Sequence, residues 1–217
     1  MKIGILGTGM VGNTIGSKLI LLGHDVKMGS RTPDNAKAAE WVKKEGTKAS
    51  QGTFADAAAF GEMLFNCTAG GASPDVLKLA GAGNLKGKTV IDVSNPLDFS
   101  KGFPPSLHAN LSNTTSVGEE LQKAHPEAKV VKTLNTVTCN LMVNAGLVQG
   151  DHDMFICGND AEAKSTVTDL LKTGFGWKSV IDMGDITNAR ALEMYLPLWV
   201  RLYGVLKTPN FNIKVLR

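Results

Sequence analysis

The 217-residue sequence has few cysteines, few aromatic residues and little net charge. Its three cysteines form no C-x-x-C pair, so the sequence indicates neither a zinc site nor a disulfide framework. We expect the three cysteines to be small buried residues. A formal net charge of +3 is too small to indicate nucleic-acid or membrane-surface binding. No run is apolar enough for a typical transmembrane helix, and the first strand starts at the N-terminus without a signal segment. These absences predict a cytoplasmic protein with small-molecule ligands.

The N-terminal segment combines an apolar strand, a glycine-rich turn and the start of a helix. Gly7, Gly9 and Gly12 have the G-x-G-x-x-G spacing of dinucleotide-binding folds. Gly7 allows the tight turn, Gly9 leaves room for a pyrophosphate, and Gly12 lets the helix pack closely on the strand. A purely structural turn is the alternative. We predict that a dinucleotide contacts the helix N-terminus and its loop at Gly7, Thr8, Gly9, Met10, Val11 and Gly12.

The tip of the second strand carries no carboxylate and instead reads Ser30-Arg31-Thr32. NAD-specific proteins place an acidic residue about twenty positions beyond the glycines, where it accepts a hydrogen bond from the ribose. Arg31 offers a planar cation, and Ser30 and Thr32 offer hydroxyl donors, which together suit a 2′-phosphate. The tip therefore predicts NADP(H) rather than NADH, with a solvated Arg31 as the alternative.

Alternating strand and helix patterns predict an α/β fold, a Rossmann-type doubly wound and mainly parallel sheet with right-handed crossovers. We assign residues 1–150 to an NADP-binding Rossmann domain. Residues 151–217 are predicted to form a small C-terminal α/β extension that ends in a long apolar helix over residues 187–207, kinked at Pro197. This extension is expected to supply a wall of the acceptor site and the contact of a homodimer.

Smaller elements are also predicted along the chain. A third strand is expected at residues 47–49, and residues 97–115 read as a long loop. Ser116 and Glu119 have the spacing of a capping box at the start of a helix. The run Asp151-His152-Asp153 is interpreted as a solvated loop.

Ligands of doubly wound sheets bind outside the carboxyl ends of the strands. The residues that follow the later strands are mostly small, and several carry a hydroxyl or an amide group. They leave room for a ribose and a carboxamide and can hydrogen-bond to them. Turn and cap roles alone are the alternative. The predicted cofactor contacts at these tips are Cys67, Thr68, Ala69, Ser94, Asn95, Pro96, Asn135, Thr136 and Val137.

Taken together, six segments resemble one family. They are Gly7–Gly12, Gly29–Arg31, Asp92–Pro96, Val130–Thr136, Cys157–Asp160 and Asp182–Gly184. The chain resembles, over nearly its whole length, the NADP oxidoreductases that depend on coenzyme F420. It is also similar to the cytosolic reductase domain of STEAP metalloreductases, which uses NADPH and a flavin.

The resemblance implies hydride transfer between NADPH and a flat tricyclic acceptor, either F420 or a flavin (FMN or FAD). It places Ser94–Pro96 and Asn135–Thr138 near the nicotinamide and the acceptor ring. The chain has Asn135 where the archaeal F420 enzymes tend to have histidine, and Thr138 where they have proline, so a flavin stays an alternative to F420.

Hydride transfer between stacked rings needs positioning more than acid–base groups. Consistent with this, no Ser/His/Asp or Cys/His arrangement stands out, and we predict no catalytic residue, with Asn135 and Thr136 as the nearest candidates. Two other functions are alternatives. A β-hydroxyacid dehydrogenase or imine reductase would carry a large helical domain, for which the 67 residues after Gly150 are too few. A non-catalytic NADP(H)-binding redox sensor would need no acceptor.

Overall fold

The computed structural model describes residues 1–216, and Arg217, the last residue of the predicted extension, lies outside them. Numbered in chain order, the strands are β1 (Lys2–Leu6), β2 (Asp25–Ser30), β3 (Ala49–Thr53), β4 (Met63–Asn66), β5 (Thr89–Asp92), β6 (Leu97–Asp98), β7 (Ser106–Leu107), β8 (Lys129–Thr133), β9 (Asp153–Gly158) and β10 (Ser179–Asp182). Eight of them form one sheet in the order β10-β9-β8-β5-β4-β1-β2-β3, and β6 pairs with β7 in a separate hairpin. Within the large sheet, the β8–β9 pair is antiparallel and the other pairs are parallel.

Helices cover both faces of this sheet. They are α1 (Met10–Leu21), α2 (Ala36–Glu45), α3 (Phe54–Phe60), α4 (Ser73–Ala80), α5 (Ala82–Leu85), α6 (Val117–Ala124), α7 (Cys139–Met142), α8 (Ala161–Asp169), α9 (Ala189–Met194) and α10 (Leu196–Leu206). Buried residues of α1, α2, α7 and α8 belong to one core cluster, and those of α3, α4, α6 and α9 belong to a second. The predicted Rossmann-type, doubly wound and mainly parallel sheet is therefore confirmed.

Strand β1 shows why the sheet needs both layers. Ile3 and Ile5 point to one face and pack in the same core cluster as Ile15 and Leu19 of α1, whereas Leu6 belongs to the cluster on the other face. Successive side chains of a strand alternate between faces, so an apolar run buried on both sides suits the centre of a parallel sheet.

Two local predictions were wrong. The third strand occupies Ala49–Thr53 rather than residues 47–49, because its pairing with β2 extends to the Ser30–Thr53 position. The predicted loop of residues 97–115 contains the β6–β7 hairpin and a short 3₁₀ helix at Ala109–Leu111. These elements are only two or three residues long, which is too short for a period to be visible in the sequence.

The end of the chain follows the prediction with one adjustment. The helix predicted for residues 187–207 is present but breaks at Tyr195, between α9 and α10. Pro197 lies in the first turn of α10, where a missing backbone N–H is tolerated. Ser116 caps α6 as predicted, accepting from the Glu119 N–H at 3.1 Å, but the Glu119 carboxylate binds Arg190 of α9 and so ties the two helices together.

Helix α10 remains largely uncovered in the single chain. Leu196 and Val200 are its buried residues, whereas Leu198 and Val205 are 54% and 77% exposed. Strands β9 and β10 continue the main sheet, so the division of the chain at residue 150 stays a prediction. The homodimer contact also stays a prediction. Among residues 1–216, no helix has the length and apolar character needed to cross a bilayer.

Candidate functional site

The glycine loop between β1 and α1 has the conformation that its spacing predicts. Gly7 has a φ of +122°, a region that glycine adopts without strain. A Cβ added at Gly12 would lie 2.2 Å from the Gly7 carbonyl oxygen, so the helix contacts the turn backbone directly. A Cβ at Gly9 would meet nothing within 4 Å, which leaves the loop open on its outer side.

The first turn of α1 presents backbone donors at this open side. Gly9 is the N-cap, and no side chain caps the helix. Unpaired N–H groups and the helix dipole make such an end suitable for a phosphate. Of the other predicted contacts, Met10 is 75% exposed, while the Val11 side chain packs against the core.

Beside the loop, the tip of β2 is arranged as a turn with one free cation. The Ser30 hydroxyl accepts from the Thr32 N–H and donates to the Thr32 carbonyl oxygen, which holds the turn. Arg31 is exposed, and no ion pair involves it within residues 1–216. The guanidinium is therefore available to an anionic ligand, and Ser30 acts first by shaping the loop that carries it.

A cleft of about 680 Å³ runs along the carboxyl ends of β1, β2 and β4. This volume lies within the usual range of about 300–1,000 Å³ for ligand pockets. The structure brings eight of the predicted contacts together in its lining: Gly7, Thr8, Gly9, Ser30, Arg31, Cys67, Thr68 and Ala69. The cleft is also lined by apolar side chains that sequence reasoning did not single out: Phe54, Ala72, Val76 and Leu79.

The tips of β5 and β8 form a second group, which is more buried. Asn95 donates to the Asn135 carbonyl oxygen at 2.8 Å, and Asn135 donates back to Asn95 Oδ1 at 2.9 Å. Asn135 also donates to the Leu192 carbonyl oxygen of α9 at 3.1 Å. Two strand tips and a C-terminal helix are thus held in one fixed arrangement.

Three buried polar atoms of this second group have no partner within the described chain. They are Ser94 Oγ, Asn135 Oδ1 and Thr136 Oγ1. Buried polar groups are nearly always hydrogen-bonded, so three orphans on adjacent tips indicate a place where a polar ligand group would fit. The open Gly9 and these three atoms lie at the carboxyl ends of strands in the same sheet. Pro96 and Val137 are buried and have only backbone polar groups to offer.

A buried charge cluster lies behind these tips, and sequence reasoning missed it. Lys132 Nζ lies 2.8 Å from Asp92 Oδ2 and 2.7 Å from Glu193 Oε1, and it donates to the Ser94 carbonyl oxygen at 2.6 Å. All three charged side chains are at most 1% exposed. We call Lys132, Asp92 and Glu193 the buried charge cluster. The available signal was a lysine that directly follows Val130 and Val131 in a strand.

Burial and pairing act against each other in this cluster. Burial alone would lower the pKa of Lys132, but the two carboxylates raise it above its ordinary value. Burial raises the pKa of Glu193, although Lys132 and the Val117 N–H stabilise the ionised form. The lysine therefore stays protonated, and its three N–H donors each have an acceptor.

Hydrogen bonds extend the cluster to the cleft. Asn66 donates to Asp92 Oδ1 at 2.8 Å and to Ser73 Oγ at 2.9 Å. Asn66 Oδ1 accepts from the Thr68 hydroxyl at 2.7 Å, and Thr68 lines the cleft. One buried chain of contacts therefore runs from the cleft wall to α9.

The run Asp151-His152-Asp153 was interpreted wrongly as a solvated loop. Asp153 is buried at the start of β9, and its carboxylate accepts from the Val215 N–H at 2.7 Å. His152 contacts the Ala145 carbonyl oxygen and Asn212, and its ring packs edge-on against Trp177. These residues fasten the C-terminal segment to the sheet, a long-range contact that no local pattern reveals.

Two of the three cysteines have thiols that burial keeps protonated. Burial raises the pKa of the Cys67 thiol, and the Asp92 carboxylate raises it further, so this cysteine of the cleft wall stays protonated. Burial raises the pKa of Cys157 to about 12. Within residues 1–216, no group of three or more His, Cys, Asp or Glu side chains is arranged to hold a metal ion. The arrangement suits binding and orientation.

Comparisons with known proteins agree with this geometry. The family model for NADP oxidoreductases, coenzyme F420-dependent, matches residues 2–96. A crystal structure from Arthrobacter sp. FB24, described provisionally as an F420-dependent NADP-reductase, is 48% identical, covers 100% of both chains and has a TM-score of 0.93.

Two curated relatives are more distant. The F420-dependent NADP reductase of Methanocaldococcus jannaschii is 32% identical over 131 residues, which are 60% of this chain and 57% of that protein. The rat metalloreductase STEAP3 is 29% identical over 214 residues, which are 91% of this chain and 38% of that protein. This chain thus spans only part of the length of both relatives.

One assignment follows from three observations: the open glycine loop, the tip of β2 without a carboxylate, and the full-length similarity to the Arthrobacter structure. The chain belongs to the family of NADP oxidoreductases, coenzyme F420-dependent.

Proposed function

We propose that this protein transfers hydride between NADPH and a flat tricyclic acceptor, with the deazaflavin F420 as the first candidate. The observation that carries the proposal is the row of strand tips, which combines an open phosphate loop at one end with buried, unpartnered polar atoms at the other. Hydride transfer supplies two electrons and a hydrogen nucleus from NADPH to the acceptor, which takes up one further proton.

The phosphate end would bind and select the cofactor. Backbone N–H groups of Gly9, Met10 and Val11 would hold the pyrophosphate at the helix N-terminus. The free Arg31 guanidinium would pair with the 2′-phosphate, because its planar fork matches phosphate oxygens. Thr68 and Ala69 of the cleft wall would limit where the ribose lies.

The ring end would orient the reacting groups. The polar groups of the nicotinamide would supply hydrogen-bond partners to three atoms that lack one, namely Ser94 Oγ, Asn135 Oδ1 and Thr136 Oγ1. The mutual hydrogen bonds of Asn95 and Asn135 would keep both tips in place during the reaction. Fixed orientation of two reactants can lower a barrier by roughly 7–11 kcal/mol, so no acid–base residue is required.

The C-terminal extension would form the acceptor-site wall. The bond from Asn135 to the Leu192 carbonyl oxygen supports this assignment, because it places α9 directly against the β8 tip. Tyr195 OH and Trp199 Nε1, from the same C-terminal segment, are buried atoms without a partner among the described residues. A flavin is the second candidate acceptor, since Asn135 is neutral where the archaeal F420 enzymes tend to have histidine.

The test follows the loss of NADPH absorbance with purified protein and F420, FMN, FAD or a ferric chelate in parallel. We expect rapid turnover with F420, much slower turnover with NADH as donor, and none with Gly9→Val. Turnover with FMN or FAD alone would replace F420 by the flavin as acceptor. Tight NADPH binding without turnover on any of the four would contradict the enzyme and favour the redox sensor.

A further inference from the structure

The buried charge cluster contains more negative than positive charge. Lys132 is one cation between the carboxylates of Asp92 and Glu193, and no other ion pair within residues 1–216 involves any of the three. A cluster whose only purpose was to stabilise the fold would need one carboxylate to match one ammonium, because unpaired buried charge is costly.

The hydrogen bonds of the cluster suit two ionised carboxylates. The described hydrogen bonds of Asp92 come from Asn66 Nδ2, the Ser94 N–H and Lys132. Glu193 accepts from Lys132 and from the N–H groups at the start of α6, Val117 at 2.9 Å and Gly118 at 3.1 Å. Every one of these partners is a donor, so a protonated carboxyl would bring two donors together. One negative charge has no ammonium to compensate it, and the N–H groups at the start of α6 offset only part of it.

The uncompensated charge lies at the ring end of the site. Lys132 holds the Ser94 carbonyl oxygen at 2.6 Å, and the adjacent Ser94 hydroxyl is one of the orphaned buried atoms. The charge also reaches the cleft, because Asp92 contributes to the raised pKa of the Cys67 thiol in the cleft wall. A buried field of this kind is screened little by salt.

We propose that the buried charge cluster is an electrostatic tuning and positioning element that stabilises the oxidised, cationic nicotinamide relative to the reduced, neutral one. This inference rests on the proposed function, because it assumes that the ring end receives the nicotinamide. The cluster acts through the strand tips and makes no contact of its own with the acceptor. Its effect is to favour release of hydride from the reduced cofactor, since it stabilises the cofactor that has lost it.

The test measures dissociation constants for NADP⁺ and NADPH by calorimetric titration in the wild-type protein, Glu193→Gln and Asp92→Asn. An uncompensated unit charge acting over on the order of 15 Å in protein changes such a ratio by roughly fivefold. We expect both variants to weaken NADP⁺ relative to NADPH by at least about fivefold. Glu127→Gln is the control, because Glu127 is an exposed carboxylate that precedes β8, at the end of the strand away from its tip, and should leave the ratio unchanged.

Two variants at different positions separate electrostatics from local damage. A merely structural role would weaken both forms of the cofactor equally, and that result would overturn the proposal while leaving NADP(H) binding intact. Failure of the wild-type protein to bind either form would refute the proposed function as well.

Discussion

The two ends of the candidate site are built in opposite ways. The phosphate end uses residues 7–31, which follow one another along the chain, and its loop is open at Gly9. The ring end joins Asn66, Asp92, Lys132 and Glu193, which are far apart in the chain and fully buried. The first end is a local motif and the second exists only after folding. The contrast predicts that substitutions on the open side of the phosphate loop change ligand binding with little loss of stability, whereas substitutions in the buried residues of the ring end change stability as well as ligand binding.

The largest expected effect is at Gly9. Gly9→Val should abolish NADPH binding, because the added side chain fills the open side of the loop that the pyrophosphate needs. Stability should fall by at most about 1 kcal/mol, since the new Cβ meets no atom within 4 Å and only the N-cap residue changes. Calorimetric titration and urea unfolding measure the two quantities.

Gly12→Ala is the matched comparison for the same loop. Its Cβ would lie 2.2 Å from the Gly7 carbonyl oxygen, so this variant should lose stability as well as binding. Unchanged NADPH affinity in Gly9→Val would remove the loop from the site.

At the ring end, Lys132→Met tests whether the cluster supports the fold. Removing the cation leaves two buried carboxylates without a partner, which should lower the free energy of unfolding by about 3–5 kcal/mol. Lys86→Met is the control, because Lys86 and Glu127 form an exposed pair that is expected to contribute less than about 1 kcal/mol. A loss below about 1 kcal/mol for Lys132→Met, measured by urea unfolding, would mean that the cluster is not structurally important.

Arg31→Ala sharpens the account of the phosphate end. A hydrogen bond to a charged group contributes about 1.5–3 kcal/mol, so the NADPH affinity should fall roughly 10- to 150-fold, with a much smaller loss for NADH. Lys43→Ala, an exposed cation near the end of α2, serves as the control and should change either affinity less than about threefold. Equal losses for NADPH and NADH would show that Arg31 does not read the 2′-phosphate.

The smallest effect on stability is expected on α10. Val205→Glu changes a side chain that is 77% exposed, so the folding of a single chain should change by less than about 0.5 kcal/mol. If α10 carries the predicted homodimer contact, the same variant should dissociate the dimer in light scattering at micromolar concentration. Leu21→Glu on α1, which is 79% exposed at its site, is the control and should leave the dimer intact. A monomeric wild-type protein would contradict the predicted contact.

Sequence reasoning succeeded where the signal is local. The turn at Gly7, the close approach at Gly12 and the cap at Ser116 each depend on a few neighbouring residues, and all three are present. It failed for the β6–β7 hairpin, whose strands are too short to show a period, and for Asp153, whose partner Val215 is 62 residues away. Lys132 lies in Val130–Thr136, one of the segments that carry the family resemblance, but the residues of that segment do not show which carboxylates it pairs with.

By itself, the sequence determined the layer architecture, the phosphate loop and the cation at Arg31, because periodicity, glycine spacing and charge act over a few residues at a time. The tertiary structure decided which strand tips meet, that α9 lies against β8, and that one lysine is shared by two carboxylates. The physical reason is that buried pairing depends on sheet order, and β8 stands beside β5 although 36 residues separate Asp92 from Lys129.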